Sequence, residues 1–464
     1  MSGFVTTVAG KQQKSACPPG AAVTSTHADG GALSAQFSRP AAIDVMPCGG
    51  VLISENGNHC IRKLSADRAA VSTVAGVPGR RGHKDGPAAA ALFDRPAGVR
   101  ALPGGAILVC DFGNSCLRLV SADGASVSTV AGAAGEDDWK DGPAAEARFS
   151  YPCMSIVLPG RAGILVSDQG NHCVRRLSAD LATVSTVTGH PRDDGGYQDG
   201  AAAEAEFRYP RGMEVLGDGR VLVCDSGNSC VRVLSADLRS VATAAGEPGE
   251  SGHHDGAARG AARFGLGVCA LTRLPDASVV VSDHGNHCLR RISPDLSAVS
   301  TVAGRPGVSG FSDGRGVGGA LLNSPAGIHT LACGSVIFND AANCCVRMLS
   351  AANAAAPAPP ELPGGAGGWA AAGAGGWAAA GAAAAAAAPP AGAGGSAAFA
   401  GDDTGGQGRQ LRIDGDDLFD ELLDDLAKVI PVREGGGGEV EEGGGHGGIE
   451  YASEHSSDTQ MADW

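Results

Sequence analysis

The chain has 464 residues and a formal net charge of −15; residues 351–464 carry 18 Asp/Glu against 4 Lys/Arg, leaving 32 against 31 for residues 1–350. A body without basic excess lacks the clustered positive face that backbone phosphates require, so nucleic acid is not expected as a partner. No run of 18 strongly apolar residues occurs, and the alanine-rich run from Ala378 to Ala388 is too short and too weakly apolar to span a bilayer, so no membrane helix is expected.

The N-terminus, MSGFVTTVAG, has neither an apolar h-region behind a basic n-region nor the Arg/Ser richness of a transit peptide, which gives the expectation of a cytoplasmic or nuclear protein. From there the chain repeats. Six copies of one unit are anchored on Asn58, Asn114, Asn171, Asn228, Asn286 and Asn343, at steps of 56, 57, 57, 58 and 57 residues. So regular a period near 50 is the signature of propeller blades, small sheets that cannot bury their faces without neighbours. In the second copy the runs VSTVAG, AGVRAL, AILVCD and CLRLVS are short, aliphatic or β-branched, and bounded by Gly, Pro or Asp, which predicts four strands per copy. The turn D-x-G-N, from Asp111 to Asn114, is expected to use Gly and Asn at positive φ. The Asp-Gly pairs at 29, 85, 141, 199, 255 and 313 fall in the long connections that lead to the next innermost strand.

The ends of the array are complementary. Val5–Gly10 matches the outer strand of the unit, and the sixth copy stops after Cys345–Ser350 without one. The N-terminal strand is therefore expected to complete the last blade and close the ring, which removes exposed sheet edges. The predicted fold class is all-β: a six-bladed β-propeller over residues 1–350, followed by a disordered low-complexity tail with one short α-helix.

The pattern TVAG, DG, A-x-F-x-x-P-x-G-[VI], LVxD-x-GN-x-x-[IVL]-R resembles the NHL repeat in all six copies. The resemblance implies a propeller that binds partners. It leaves activity open, because NHL propellers include protein-binding and RNA-binding modules, scaffolds beside ubiquitin-ligase domains and a metal-dependent lyase.

The copies alternate. Copies 1, 3 and 5 carry Ser54, His59, Arg62 and Lys63; Ser167, His172, Arg175 and Arg176; and Ser282, His287, Arg290 and Arg291. Copies 2 and 4 carry Cys110, Ser115, Arg118 and Leu119, and Cys224, Ser229, Arg232 and Val233. One reading is that alternate blade interfaces pack differently. The sharper one is a partner-binding rim of His59, His172, His287, Lys63, Arg176 and Arg291 that grips an acidic protein.

The residues with catalytic chemistry also recur with the repeat. Glu55, Asp111, Asp168, Asp225, Asp283 and Asp340 recur in every copy before the turn, and read as turn-capping acceptors rather than metal ligands. Three His a third of a turn apart cannot share one zinc at about 2.0 to 2.1 Å. Cys60, Cys116, Cys173, Cys230, Cys288 and Cys345 occupy one repeat position and read as packing groups, although the chain holds 14 Cys. His253 and His254 are unusual for their loop and read as a solvated pair. No cofactor and no metal are expected.

Residues 351–409 form an Ala/Gly/Pro-rich stretch expected to be a disordered linker. Residues 410–433 carry Leu418, Phe419, Leu422, Leu423 and Leu426 at helical spacing, ended by Pro431, which predicts a short acidic amphipathic helix, marginal on its own in water, that either docks on its own propeller or fits a partner's groove. Residues 434–464 read as an acidic disordered end. The sequence thus points to a monomeric, non-enzymatic protein-interaction scaffold; the alternatives are substrate recognition for a ubiquitin ligase on another chain, or a metal-dependent hydrolase or lyase resembling gluconolactonases. An enzyme of that kind would show unlike acids and His converging on the axis.

Overall fold

In the computed structural model, residues 3–11, 26–191 and 194–350 are described, apart from the side chain of Arg161. They form six antiparallel sheets of five strands each, arranged as blades around one axis. The linker, helix and acidic end expected within residues 351–464, with Leu418, Phe419, Leu422 and Leu426, lie outside the described residues.

In the second blade the strands run outward as Pro96–Ala101, Ile107–Asp111, Cys116–Val120 and Ser126–Ala131. A two-residue strand, Gly86–Pro87, pairs beyond the outer one and raises the expected four strands to five. The second strand of each blade is buried along its whole length because neighbouring blades cover both of its faces, which is why it reads as a continuous apolar run. Each hydrophobic core lies between two blades: Leu108, Leu117 and Leu119 of the second blade pack with Phe149, Ile164 and Val184 of the third. No blade has a core of its own, so stability is shared between neighbours.

The ring closes as the sequence requires. Phe4–Ala9 pairs with both Cys345–Leu349 and Gly314–Arg315 in the sheet of the sixth blade. Thr7 adds its N–H and hydroxyl to the carboxylate of Asp313, each at 3.0 Å. Among the described residues, no helix is long and apolar enough to cross a membrane.

The D-x-G-N turn departs from expectation. The left-handed residue is the one after Asn: His59, Ser115, His172, Ser229, His287 and Cys344 have φ between 50° and 55°. The glycine serves close approach instead, since a Cβ on Gly113 would sit 2.7 Å from the Asp94 side chain. Asn114 holds the turn by donating to Asp111 Oδ2 at 2.8 Å and to the Gly82 carbonyl at 2.9 Å. These turns and the long inter-blade connections define an upper rim. The hairpins between inner and second strands define the lower one.

Candidate functional site

The repeat carries its chemistry on the third strand. An arginine in the middle of a buried strand demands partners for five N–H groups. Arg118 finds all five. Its Nη1 donates to Asp111 Oδ2 at 2.7 Å and to the Leu92 carbonyl at 3.0 Å; its Nη2 donates to Asp85 Oδ1 at 2.6 Å and to the Lys84 carbonyl at 2.9 Å; its Nε donates to Asp85 Oδ1 at 3.1 Å. Its guanidinium stacks 5.0 Å from the Phe93 centroid. Arg62, Arg175, Arg232 and Arg290 make the same five-bond set, and Arg347 makes four of the bonds.

The two carboxylates of each clamp differ. Burial pushes Asp111, Asp168 and Asp225 up to about 6, against the pull of Arg118, Arg175 and Arg232. Asp199 and Asp255 are only partly buried; burial works to raise them, but the Thr243 and Thr301 N–H groups and the clamp arginines hold them below the usual range. The recurring acids are therefore turn acceptors and also the fixed anions of a buried ion pair. The sequence signal was present: an Arg inside each apolar strand with two acids per copy.

A ring side chain at one repeat position lies over each clamp. His27, His83, Trp139, Tyr197 and His253 bond to Thr73, Thr129, Thr186, Thr243 and Thr301 at 2.7 to 3.0 Å, and Phe311 lies 4.9 Å from the Arg347 guanidinium carbon. His253 is thus a clamp cover, and its neighbour His254 gives its carbonyl to Arg290.

The alternating residues divide between the two rims. His59, His172 and His287 sit at the upper turns, where Nδ1 accepts a backbone N–H from the next blade: Arg95 at 3.0 Å, Tyr209 at 3.0 Å and Ser324 at 3.1 Å. Ser115 does the same more weakly toward Tyr151, at 3.4 Å. Ser54 fills the bulge of its inner strand, accepting from Ala42 N at 2.8 Å and donating to the Ala97 carbonyl of the next blade at 2.6 Å. Lys63, Arg176 and Arg291 lie four residues beyond their His, near the lower end of the strand, about 13 Å away at the usual strand rise. The structure does not bring His and cation to one rim. Arg291 is bonded to Asp276 at 2.5 Å and to Ser278 at 2.8 Å.

The six repeat-position cysteines are fully buried at the start of the third strand. The thirteen described cysteines are free, and among them Cys48 and Cys333 are exposed.

A second constellation escaped the repeat. The fifth residue of the inner strand is Asp44, Arg100, Ile156, Glu214, Thr272 and His329 in the six blades, different in each. At the lower mouth these side chains reach from blade to blade. Asp44 Oδ1 takes Arg100 Nη1 at 3.0 Å and lies 3.2 Å from His329 Nδ1; its Oδ2 accepts Ala101 N at 2.7 Å. Arg100 also donates Nε and Nη2 to the Ser155 carbonyl at 3.1 and 2.9 Å. Thr272 and Thr330 share a hydrogen bond of 2.9 Å. Burial raises Glu214 to about 7, with Arg100, His329 and Arg273 pulling the other way. Above this ring the axis narrows to a channel of about 30 Å³ lined by inner-strand residues such as Ile43, Val99, Met213 and Leu271. Unlike acids and a His do converge on the axis, contrary to the reading that only repeat-wide acids occur. Among the described residues, no group of three or more His, Cys, Asp or Glu is arranged to hold a metal ion.

The profile of the NHL repeat matches residues 93–118 and 207–234. With six blades of this pattern, the chain is an NHL-repeat six-bladed β-propeller. Over 314 residues it is 27% identical to Protein SUPPRESSOR OF QUENCHING 1, chloroplastic, of Arabidopsis thaliana, a match that covers 64% of this chain and 29% of that protein. The chain thus spans less than a third of that relative's length. Among solved structures it is similar to an auxiliary nutrient binding protein from Bacteroides thetaiotaomicron, with a TM-score of 0.56, 14% identity and coverage of 75% and 76% of the two chains. It is also similar to a structural genomics protein of unknown function from the same organism, with a TM-score of 0.54, 18% identity and coverage of 74% and 75%. At these identities the likeness concerns the fold.

Proposed function

We propose that this propeller is a non-enzymatic protein-interaction scaffold that presents a rigid upper rim to a partner. The observation that carries the reading is the pair Trp139 and Tyr197, at one repeat position on neighbouring blades, 41% and 42% exposed. Each is held in place: Trp139 Nε1 donates to Thr186 Oγ1 at 2.9 Å, and Tyr197 lies 4.6 Å over Arg232 with its hydroxyl on Thr243. Exposed aromatics whose rotamers are already fixed lose little entropy on binding, which is what interface anchors need. The cationic points Lys63, Arg176 and Arg291 belong to the opposite face in this proposal. Free thiols at all thirteen described positions support a reducing compartment, cytoplasm or nucleus.

The metal-dependent hydrolase reading meets a physical obstacle at the axis. Asp44 spends both oxygens on Arg100, His329 and a backbone N–H, so a cation there must first displace a guanidinium. The test is affinity capture of the full chain beside Trp139→Ala and Tyr197→Ala. Retention of one stoichiometric partner by the native chain, lost in both variants at unchanged melting temperature, supports the scaffold; a ubiquitin-ligase subunit as that partner would assign its class. Equal capture by all three chains overturns the assignment of this rim.

A further inference from the structure

The lower axial mouth holds charged groups that neither the repeat nor the interaction reading uses. We propose that it is a binding site for a small organic anion, a carboxylate with an apolar body, anchored by Arg100 and independent of partner binding at the upper rim.

Three observations carry this. The first is donor arithmetic. Arg100 commits three N–H groups, two to the Ser155 carbonyl and one to Asp44, so two of its five donors have no partner among the described residues, and its side chain stays 23% exposed. The six repeat arginines, by contrast, are fully buried.

The second is the balance of charge. Asp44 is neutralised by Arg100 and lies 3.2 Å from His329 Nδ1. Arg273, exposed, reaches over the neighbouring blade's hairpin, where a Cβ on Gly217 would lie 2.9 Å from its Nη1. Glu214, the other carboxylate, faces Arg100, Arg273 and His329 and is held toward its neutral form by burial. The mouth therefore keeps an excess of cation that its own acids do not cancel.

The third is shape. Beside the Asp44–Arg100 pair an open depression of about 470 Å³ is walled by Val45, Pro47, Leu102, Pro103 and Val157. That volume lies within the usual range of small-ligand sites, and apolar walls with a few polar groups at the floor are their usual composition. A guanidinium with two spare donors pairs with a carboxylate in two parallel hydrogen bonds.

The same chemistry is offered by a free acid and by the C-terminus of a peptide. The full chain is titrated with 4-fluorophenylacetate and followed by fluorine NMR, with 4-fluorophenylacetamide as the neutral control and a leucine-terminated tetrapeptide, free or amidated, as the second arm. The expected result is saturable binding of the acid, at least tenfold weaker binding of the amide, a loss of fivefold or more in Arg100→Lys, and a smaller loss in Arg273→Gln, which removes only a more distant charge. Glu214→Gln keeps its affinity at pH 8, where the native chain weakens. Binding of the free tetrapeptide instead of the small acid would make a chain terminus the ligand. Equal binding of acid and amide, binding of neither probe nor peptide, or an unchanged affinity in Arg100→Lys overturns the proposal.

Discussion

Arg118 and Asp111 stand on adjacent strands of the second blade, meet at 2.7 Å, and have no exposed side-chain surface. Such a pair contributes little over an apolar replacement, but breaking it strands one charge in the core, which costs about 3 to 5 kcal/mol. Arg118→Met should therefore lower stability in urea by about that amount, and adding Asp111→Leu should recover part of it.

A second prediction concerns acid. The Nδ1 of His287 accepts the Ser324 N–H, and burial holds the imidazole below its ordinary value, with Asp283 opposing. The unfolded chain takes up this proton more readily than the folded one, so the contribution is complete above about pH 6.5 and is lost as the pH falls through it. His287→Asn, which does not titrate there, should flatten the fall in melting temperature between pH 7.5 and 5.

Glu214 behaves in the opposite sense. Its folded value, about 7, lies above the ordinary 4.5. The folded chain keeps a proton that the unfolded chain releases, so stability declines as pH rises through this interval. Glu214→Gln should be more stable than the native chain at pH 8 by about 1 to 2 kcal/mol, a figure reduced for partial solvent screening, and equal to it at pH 4. Melting curves at the two pH values check this.

Thiol chemistry separates the described cysteines. Burial raises Cys60, Cys116, Cys173, Cys230 and Cys345 well above the ordinary thiol. Cys333 is only partly buried; burial works to raise it, but Ser335 and Arg68 bring it below the ordinary value. Iodoacetamide on the native chain should label Cys48 and Cys333 within minutes and the buried thiols only after denaturant is added, as read by peptide mass spectrometry.

The ring, its blade boundaries and its closure by Val5–Gly10 were legible because they repeat: period, turn residues and apolar runs coincide in six copies. The partners of Arg118 were harder to read, since Asp85 and Asp111 lie 33 and 7 residues away and are joined to it only by sheet pairing. His59, His172 and His287 were singled out by alternation, but that alternation records which atom receives the next blade's N–H. The axial group was invisible for the reason that makes it distinct. Asp44, Arg100, Glu214 and His329 differ in every copy, so alignment of the repeats treats them as noise, and only the closed ring brings them together.

Partner binding at the upper rim rests on Trp139 and Tyr197. A photo-cross-linking residue placed in the full chain at 139, at 197, or at Asp123 on the lower face tests it in living cells. One dominant protein adduct is expected from positions 139 and 197 and none from 123. Adducts of equal yield from all three positions, or from 123 alone, would contradict it.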